Sequence, residues 1–167
     1  MKQKLTFILV AAGLLGVFAY STYMNPIWVE NALMEIEKEV EVSPYAKDLE
    51  PYLDEFIRQA ADHDIDLNWV YGNSVHLCYT EAGFKKLLAV SWDMHNDHSV
   101  TVSVVRDQWN SVSEAKRKYI MFHELGHDIL NLEHNECKIM NANLPLTPSW
   151  ETVNNDINDM FKYYKNK

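Results

Sequence analysis

Apolar positions change their spacing along the chain, and each change predicts a different element. Between residues 45 and 63 they recur at intervals of three and four, which predicts an amphipathic helix with Pro51 near its start. From residue 67 the period falls towards two, and residues 75–79, 87–92 and 100–105 predict three β-strands. A polar turn, residues 93–98, separates the last two strands. Helices and strands in this order predict an α+β domain.

A second helical pattern contains the residues with the clearest chemistry. Ser111 and Glu114 have the Ser-x-x-Glu spacing of a capping box, which predicts a helix start, and the apolar spacing that follows predicts a half-buried helix. Within it, His123 and His127 lie one turn apart on one face, so that both imidazoles can bind one metal ion. Glu124 is rotated by about 100° from His123 and is placed for a base that acts on metal-bound water.

Catalytic zinc normally takes three protein ligands, and His134 is the candidate for the third. On a continuous helix His134 would lie about 10 Å beyond His127, too far to share an ion. Asn131 is the predicted point of reversal, because asparagine tolerates the left-handed conformation that ends helices. The sequence therefore predicts a helix end, a reversal and the return of a third imidazole.

The segments HELGH (residues 123–127) and LNLEH (130–134), followed by Ile139 and Met140, resemble the metzincin zinc peptidases, and among them small bacterial metzincin-like proteins. Their pattern is H-E-x-x-H-x-x-G-x-x-H with a later methionine turn. The resemblance implies three zinc ligands, a general base and a turn methionine: His123, His127, His134, Glu124 and Met140.

This chain departs from the metzincin pattern in two places. Leu130 stands where the family has glycine, and His134 follows His127 by seven residues instead of six. One inserted residue, with Asn131 acting for the glycine, reconciles both. The resemblance further implies a metzincin-like zincin fold: a small twisted mixed sheet backed by an early helix and the H-E-x-x-H helix. The apolar spacing after Met140 predicts a C-terminal helix over residues 150–164, capped by Ser149 or Thr147.

Residues 1–24 have the pattern of a signal peptide or a membrane anchor. Lys2 and Lys4 precede sixteen apolar or small residues, 5–20, and extension to residue 24 gives about the twenty residues that a membrane span needs. Both readings predict an extracytoplasmic domain, periplasmic or secreted, and an uncleaved segment would anchor it through residues 5–24. Residues 25–43 predict an acidic stalk or linker, and residues 44–167 the peptidase-like domain.

Two cysteines, Cys78 and Cys137, are compatible with a disulfide outside the cytoplasm, although nothing in the sequence shows that they approach each other. Cys137 as a metal ligand is the rarer alternative. The sequence leaves both possibilities open.

Net charge narrows the class of partner. The formal charge is −9, and without Lys2 and Lys4 it would be −11, from 13 basic and 24 acidic residues. A nucleic-acid partner is therefore not expected, because phosphate binding requires a basic surface.

The expected function is zinc-dependent hydrolysis of a peptide or protein substrate, with one catalytic Zn²⁺ and Glu124 as the general base. An uncleaved leader would add the membrane as a partner. Two alternatives stay open: a non-catalytic, membrane-tethered module braced by zinc, and a zinc amidase acting on cell-wall peptide. A fourth protein ligand, from Glu136 or Cys137, would favour the braced module, because structural zinc sites are usually closed.

Overall fold

The computed structural model describes residues 44–81, 89–92 and 99–167. The expected leader and stalk, residues 1–43, and the expected turn at residues 93–98 lie outside these ranges. Within them, no helix combines the length and the apolar character that crossing a membrane requires.

Three strands form a small mixed sheet: β1 (Ser74–Thr80), β2 (Ala89–Trp92) and β3 (Ser99–Val105). The order is β1-β3-β2, with β1 parallel and β2 antiparallel to β3. The β-branched run of β3 suits the central position, where a strand has neighbours on both sides and a largely buried surface. The three predicted strands are confirmed, although residues 87 and 88 of the second lie outside the described ranges.

The outer edge of β1 is partly covered by the chain that precedes the first helix. Tyr45 forms an antiparallel bridge with Cys78, and the amide of Ala46 donates to the carbonyl oxygen of Leu77 at 2.6 Å. Of the described strands, β2 forms the opposite edge of the sheet.

Helix α1 is Glu50–Asp62, entered through a 3-10 turn at Lys47–Leu49. Pro51 lies in its first turn, where the missing N–H removes no helical hydrogen bond. Two residues after its end, Asp64 lies in the left-handed region with φ 59°, and the amide of Ile65 donates to the carbonyl oxygen of Ala60 at 3.0 Å. The predicted early helix is confirmed.

The next two helices correct the sequence prediction of a capping box. Helix α2, Arg106–Ser111, was not predicted, and α3, Glu114–Asp128, follows it. Ser111 therefore ends α2, and the Ser111–Glu114 capping box is wrong. The N-cap of α3 is Ser113, whose Oγ accepts from the amide of Lys116 at 3.3 Å. The spacing misled because Lys116, not an acidic residue, stands three positions after the true cap.

Helix α3 is the central element of the core. It packs against β2 and β3 and also against α1 and the last helix, α4 (Trp150–Asn166). As a result 13 of its 15 residues are buried, and the half-buried helix of the sequence prediction is wrong. Phe56, Phe122 and Phe161, one from each of α1, α3 and α4, form an aromatic cluster with ring centroids 5.1–6.5 Å apart.

The α+β class predicted from the sequence is confirmed, as is the C-terminal helix after Met140. Ser149 caps that helix by accepting from the amide of Thr152 at 3.1 Å. The metzincin resemblance implies an early helix behind the sheet; in the structure α1 packs against α3, which itself contacts β2 and β3.

Candidate metal centre

His123 and His127 lie on the same face of α3, as their spacing predicts. Both are buried, and their Nε2 atoms are 3.1 Å apart. The sheet and two helices enclose α3, so the backbone that carries both rings is itself fixed in the core.

The chain reverses at Asn131, the residue predicted for this role. Its φ of 50° lies in the left-handed region, three residues after the last residue of α3. The amide of Leu132 then donates to the carbonyl oxygen of Gly126 at 3.1 Å, which satisfies a carbonyl of the last helical turn. Leu130 stands where the metzincin pattern has glycine. It is buried and its φ is not positive, so the reversal does not occur at this residue.

The reversal returns His134 to the other two histidines. Its Nε2 lies 3.1 Å from Nε2 of His127 and 3.3 Å from that of His123. Two ligands of a tetrahedral zinc ion, each bound at about 2.0–2.1 Å, lie about 3.3–3.4 Å apart. The three separations are therefore close to those of a tetrahedral site, and the three predicted ligands come together.

Backbone carbonyls fix two of the rings from behind. Nδ1 of His123 lies 2.7 Å from the carbonyl oxygen of Ile139, and Nδ1 of His127 lies 2.6 Å from that of Leu132. A carbonyl only accepts, so each Nδ1 carries the proton and each Nε2 presents a lone pair. Lone pairs that face one another at 3.1 Å repel, and a bound cation relieves that repulsion. Nothing in the sequence indicates that these two carbonyl groups contact the histidines.

Burial favours the neutral imidazoles that metal binding requires. It lowers the pKa of His123 to about 3 and that of His127 to about 4, in the protein without metal. Burial also lowers the pKa of His134, which is half-buried. Near neutral pH the three rings are therefore uncharged and able to coordinate a metal ion.

Glu124 is buried, and its carboxylate is oriented by the sheet. Oε2 accepts from the backbone amide of Ser91, on β2, at 2.9 Å. Burial raises the pKa of Glu124 to about 7, and hydrogen bonding from Ser91 opposes that rise. Ser91 was missed by sequence reasoning because nothing local relates it to a residue 33 positions later.

Met140 is fully buried and packs against α3 at Gly126, a residue that lies between His123 and His127 in the sequence. A Cβ atom added at Gly126 would lie 2.8 Å from Met140 Sδ and 3.2 Å from Met160 Sδ. The residue before Met140 supplies the carbonyl oxygen that fixes His123. The methionine segment thus lies directly against the metal-binding helix.

Both cysteines are free in the structure, so of the possibilities that the sequence leaves open the disulfide is not seen there. Cys78 is buried on β1 and Cys137 is half-buried in the loop between His134 and Met140. That loop is bound to α3, where Tyr119 donates to the carbonyl oxygen of Lys138 at 3.1 Å. In the sheet, β3 separates β1 from β2, and α3 contacts β2 and β3.

Among the described residues, the one group of His, Cys, Asp and Glu that could hold a metal ion consists of His123, His127 and His134. Neither Cys137 nor Glu136 belongs to it. Three imidazoles suit zinc and also copper, iron or nickel, so the geometry defines a three-histidine cluster and does not by itself choose the metal.

Comparison of the chain with protein-family models, with curated protein sequences and with solved structures gave no significant match.

Proposed function

We propose that the protein is a metzincin-like zinc peptidase that hydrolyses peptide bonds with Glu124 as the general base. The observation that carries the proposal is the convergence of three Nε2 atoms within 3.3 Å of one another, beside a buried carboxylate on the same helix. A structural zinc site usually has four protein ligands, whereas a catalytic one has three. The described residues supply three.

The chain's own residues divide the work in the proposed reaction. His123, His127 and His134 would hold the ion, which when bound polarises a carbonyl group and makes water a stronger acid. Glu124 takes a proton from the attacking water and passes it to the leaving nitrogen. The amide of Ser91 donates to Oε2, so the carboxylate has a defined orientation for this proton transfer.

We further propose that an extended substrate pairs with the outer edge of β2. Two observations support this edge over that of β1. Ser91 places β2 beside Glu124, and the outer edge of β1 is already bridged at Tyr45. Addition of a strand to a sheet edge gives affinity through backbone hydrogen bonds and makes small demands on substrate sequence.

The setting of the enzyme is also proposed from the chain's composition. The basic, then apolar, residues 1–24 favour an extracytoplasmic location, with the membrane as a partner where this segment is retained. The net charge of −9 disfavours nucleic acid as a substrate or partner.

The test combines elemental analysis with hydrolysis assays on the full-length chain. The purified protein is expected to contain about one zinc per chain and to cleave a mixture of unstructured peptides, with activity lost on chelation and restored by zinc. A zinc-loaded protein that cleaves cell-wall peptide but no ordinary peptide would reassign the site to an amidase. A zinc-loaded protein inert on both would favour the braced, non-catalytic module.

A further inference from the structure

The loop between the chain reversal and Met140 is organised around the carboxylate of Glu136. Oε2 accepts from the backbone amide of Glu133 at 2.7 Å. Oε1 accepts from Lys167 Nζ at 2.7 Å and from the hydroxyl of Tyr163 at 3.1 Å. One side chain therefore joins the loop that carries the third histidine to the last turn of α4.

The bonds of Glu136 enclose His134. The amide of Glu136 donates back to the carbonyl oxygen of Glu133 at 3.3 Å, which closes a turn with His134 inside it. Asn135, the next residue, has a φ of 69°, and its amide donates to the carbonyl oxygen of Met140 at 2.9 Å. Two main-chain bonds thus fix the turn, and the side chain of Glu136 adds the link to α4.

The third ligand depends on this turn more than the other two ligands depend on their surroundings. His123 and His127 are fixed by the buried α3 and by a carbonyl acceptor at each Nδ1. His134 lies outside the helix and is half-buried, and its Nδ1 has no hydrogen-bond partner among the described residues. Its ring can be held only by the conformation of its own loop.

We propose that Glu136 is a positioning residue for the third metal ligand, and that its bonds to Tyr163 and Lys167 make metal affinity dependent on the C-terminal helix. The proposal rests on the three-histidine site of the proposed function, and not on the reaction carried out there. Glu136 acts through the backbone of its turn, because its carboxylate does not belong to the group of potential ligands.

The charge of the Lys167 ion pair is not what carries this role. Exposed ion pairs contribute little to stability, and Lys167 is largely exposed. The side chain of Glu136 is 20% exposed, and its bond to the Glu133 amide lies within the loop itself. The geometry of the turn, and not the strength of one pair, therefore decides where His134 lies.

The experiment measures zinc affinity of the full-length chain by competition with a chromophoric chelator, for wild type, E136A, E136Q and the double variant Y163F/K167M. E136A is expected to weaken zinc binding about tenfold or more, the range for residues that orient metal ligands. E136Q retains an acceptor for the Glu133 amide and should lose less. Y163F/K167M leaves Glu136 intact and tests the link to α4 separately.

A matched control is K165M. Lys165 lies in the same last turn of α4 and makes an ion pair of the same length, 2.7 Å, to Asp64 beyond the end of α1. It should leave zinc affinity unchanged. A second readout, the visible spectrum of the Co²⁺-substituted protein, should change in E136A if the His134 ring is displaced, and a general loss of stability would not produce that change.

These measurements distinguish a failure of the three-histidine site from a failure of the positioning role of Glu136. If wild type binds no zinc, the three-histidine site and the proposed function fall together with this inference. If wild type binds zinc but E136A and Y163F/K167M bind it equally tightly, the positioning role of Glu136 is overturned and the peptidase proposal stands. Should E136A not fold, Y163F/K167M decides the matter by the same criterion.

Discussion

Gly126 lies so close to Met140 that a Cβ atom on the glycine would stand 2.8 Å from the methionine sulfur. Contacts that short do not occur for real side chains, so the methionine occupies space that any other residue at position 126 would need. The described residues contain no glycine with positive φ. Gly126 is therefore required for packing and not for backbone conformation.

The substitution Gly126→Ala is expected to lower the free energy of unfolding of the metal-free protein by about 1–3 kcal/mol, the usual range for overpacking a filled core. It should also weaken zinc binding, because Met140 follows the residue whose carbonyl fixes His123. Urea unfolding and chelator competition measure the two effects. Gly72→Ala is the control, since a Cβ atom there meets nothing within 4 Å; equal effects at both glycines would contradict the packing explanation.

Glu124→Gln should separate metal binding from chemistry. The amide side chain retains the shape of the carboxylate and an oxygen acceptor for Ser91, so zinc content should not change. It cannot take up a proton, so peptide cleavage should fall at least about a hundredfold. Elemental analysis and a peptide-cleavage assay on one preparation supply both numbers.

His127→Ala is the companion variant and should lose zinc and cleavage together, because it removes one of three ligands. Normal turnover by the Glu124→Gln protein would rule out the general-base role, whatever its zinc content.

Asn131 offers a test of the reversal that delivers His134. Its φ of 50° lies in the left-handed region, which asparagine tolerates and alanine disfavours, so Asn131→Ala should cost about 1–2 kcal/mol of stability. Asn131→Gly, which lacks a Cβ, should retain most of the stability and of the zinc affinity. Both quantities come from denaturant titrations with and without zinc. The left-handed requirement would be refuted if alanine and glycine behaved alike.

The burial of Lys116 predicts that the free energy of unfolding depends on pH, and this dependence does not involve the metal site. It is buried on α3, its Nζ donates to the carbonyl oxygen of Pro145 at 2.6 Å, and no described carboxylate lies within 4.0 Å of it. Burial lowers its pKa from 10.5 to about 8. Between those values the unfolded chain binds more protons than the folded chain, so this residue makes the free energy of unfolding rise with pH.

Lys116→Met removes that contribution. From pH 8 to pH 10 the free energy of unfolding of wild type should therefore rise relative to that of the variant, with a slope of at most about 1.4 kcal/mol per pH unit. Denaturant titrations at several pH values measure it, and a flat difference would contradict the prediction. Lys118→Met is the comparison at pH 7: Lys118 is similarly buried but pairs with Glu55 at 2.7 Å, so its removal should cost about 1–3 kcal/mol.

Features with a local cause were predictable from the sequence. The β-branched run of β3, the one-turn spacing of His123 and His127 and the asparagine at the reversal each follow from properties of a few neighbouring residues. The reversal before His134 was predictable as well, because a helix of fixed rise would carry this residue about 10 Å beyond His127.

Features that depend on distant parts of the chain were not predictable. Ser91 reaches Glu124 only because β2 is the edge strand beside α3. The burial of α3 on nearly all sides depends on α1 and α4 as much as on its own pattern. Whether the two cysteines pair stays open in the sequence for the same reason, since compartment and cysteine count contain no information about how far apart the fold places the two thiols.

The hydrogen bond from β2 to Glu124 separates the structural requirements of ion binding from those of the proposed hydrolysis. The three imidazoles come from α3 and from the turn after it, which Glu136 links to α4, and none of them comes from the sheet. The carboxylate is oriented only when β2 has also paired with β3. Under the proposed mechanism, a chain in which β2 has separated from β3 would keep its three imidazoles together while lacking an aligned proton acceptor, so that ion binding would tolerate the loss of β2 and hydrolysis would not.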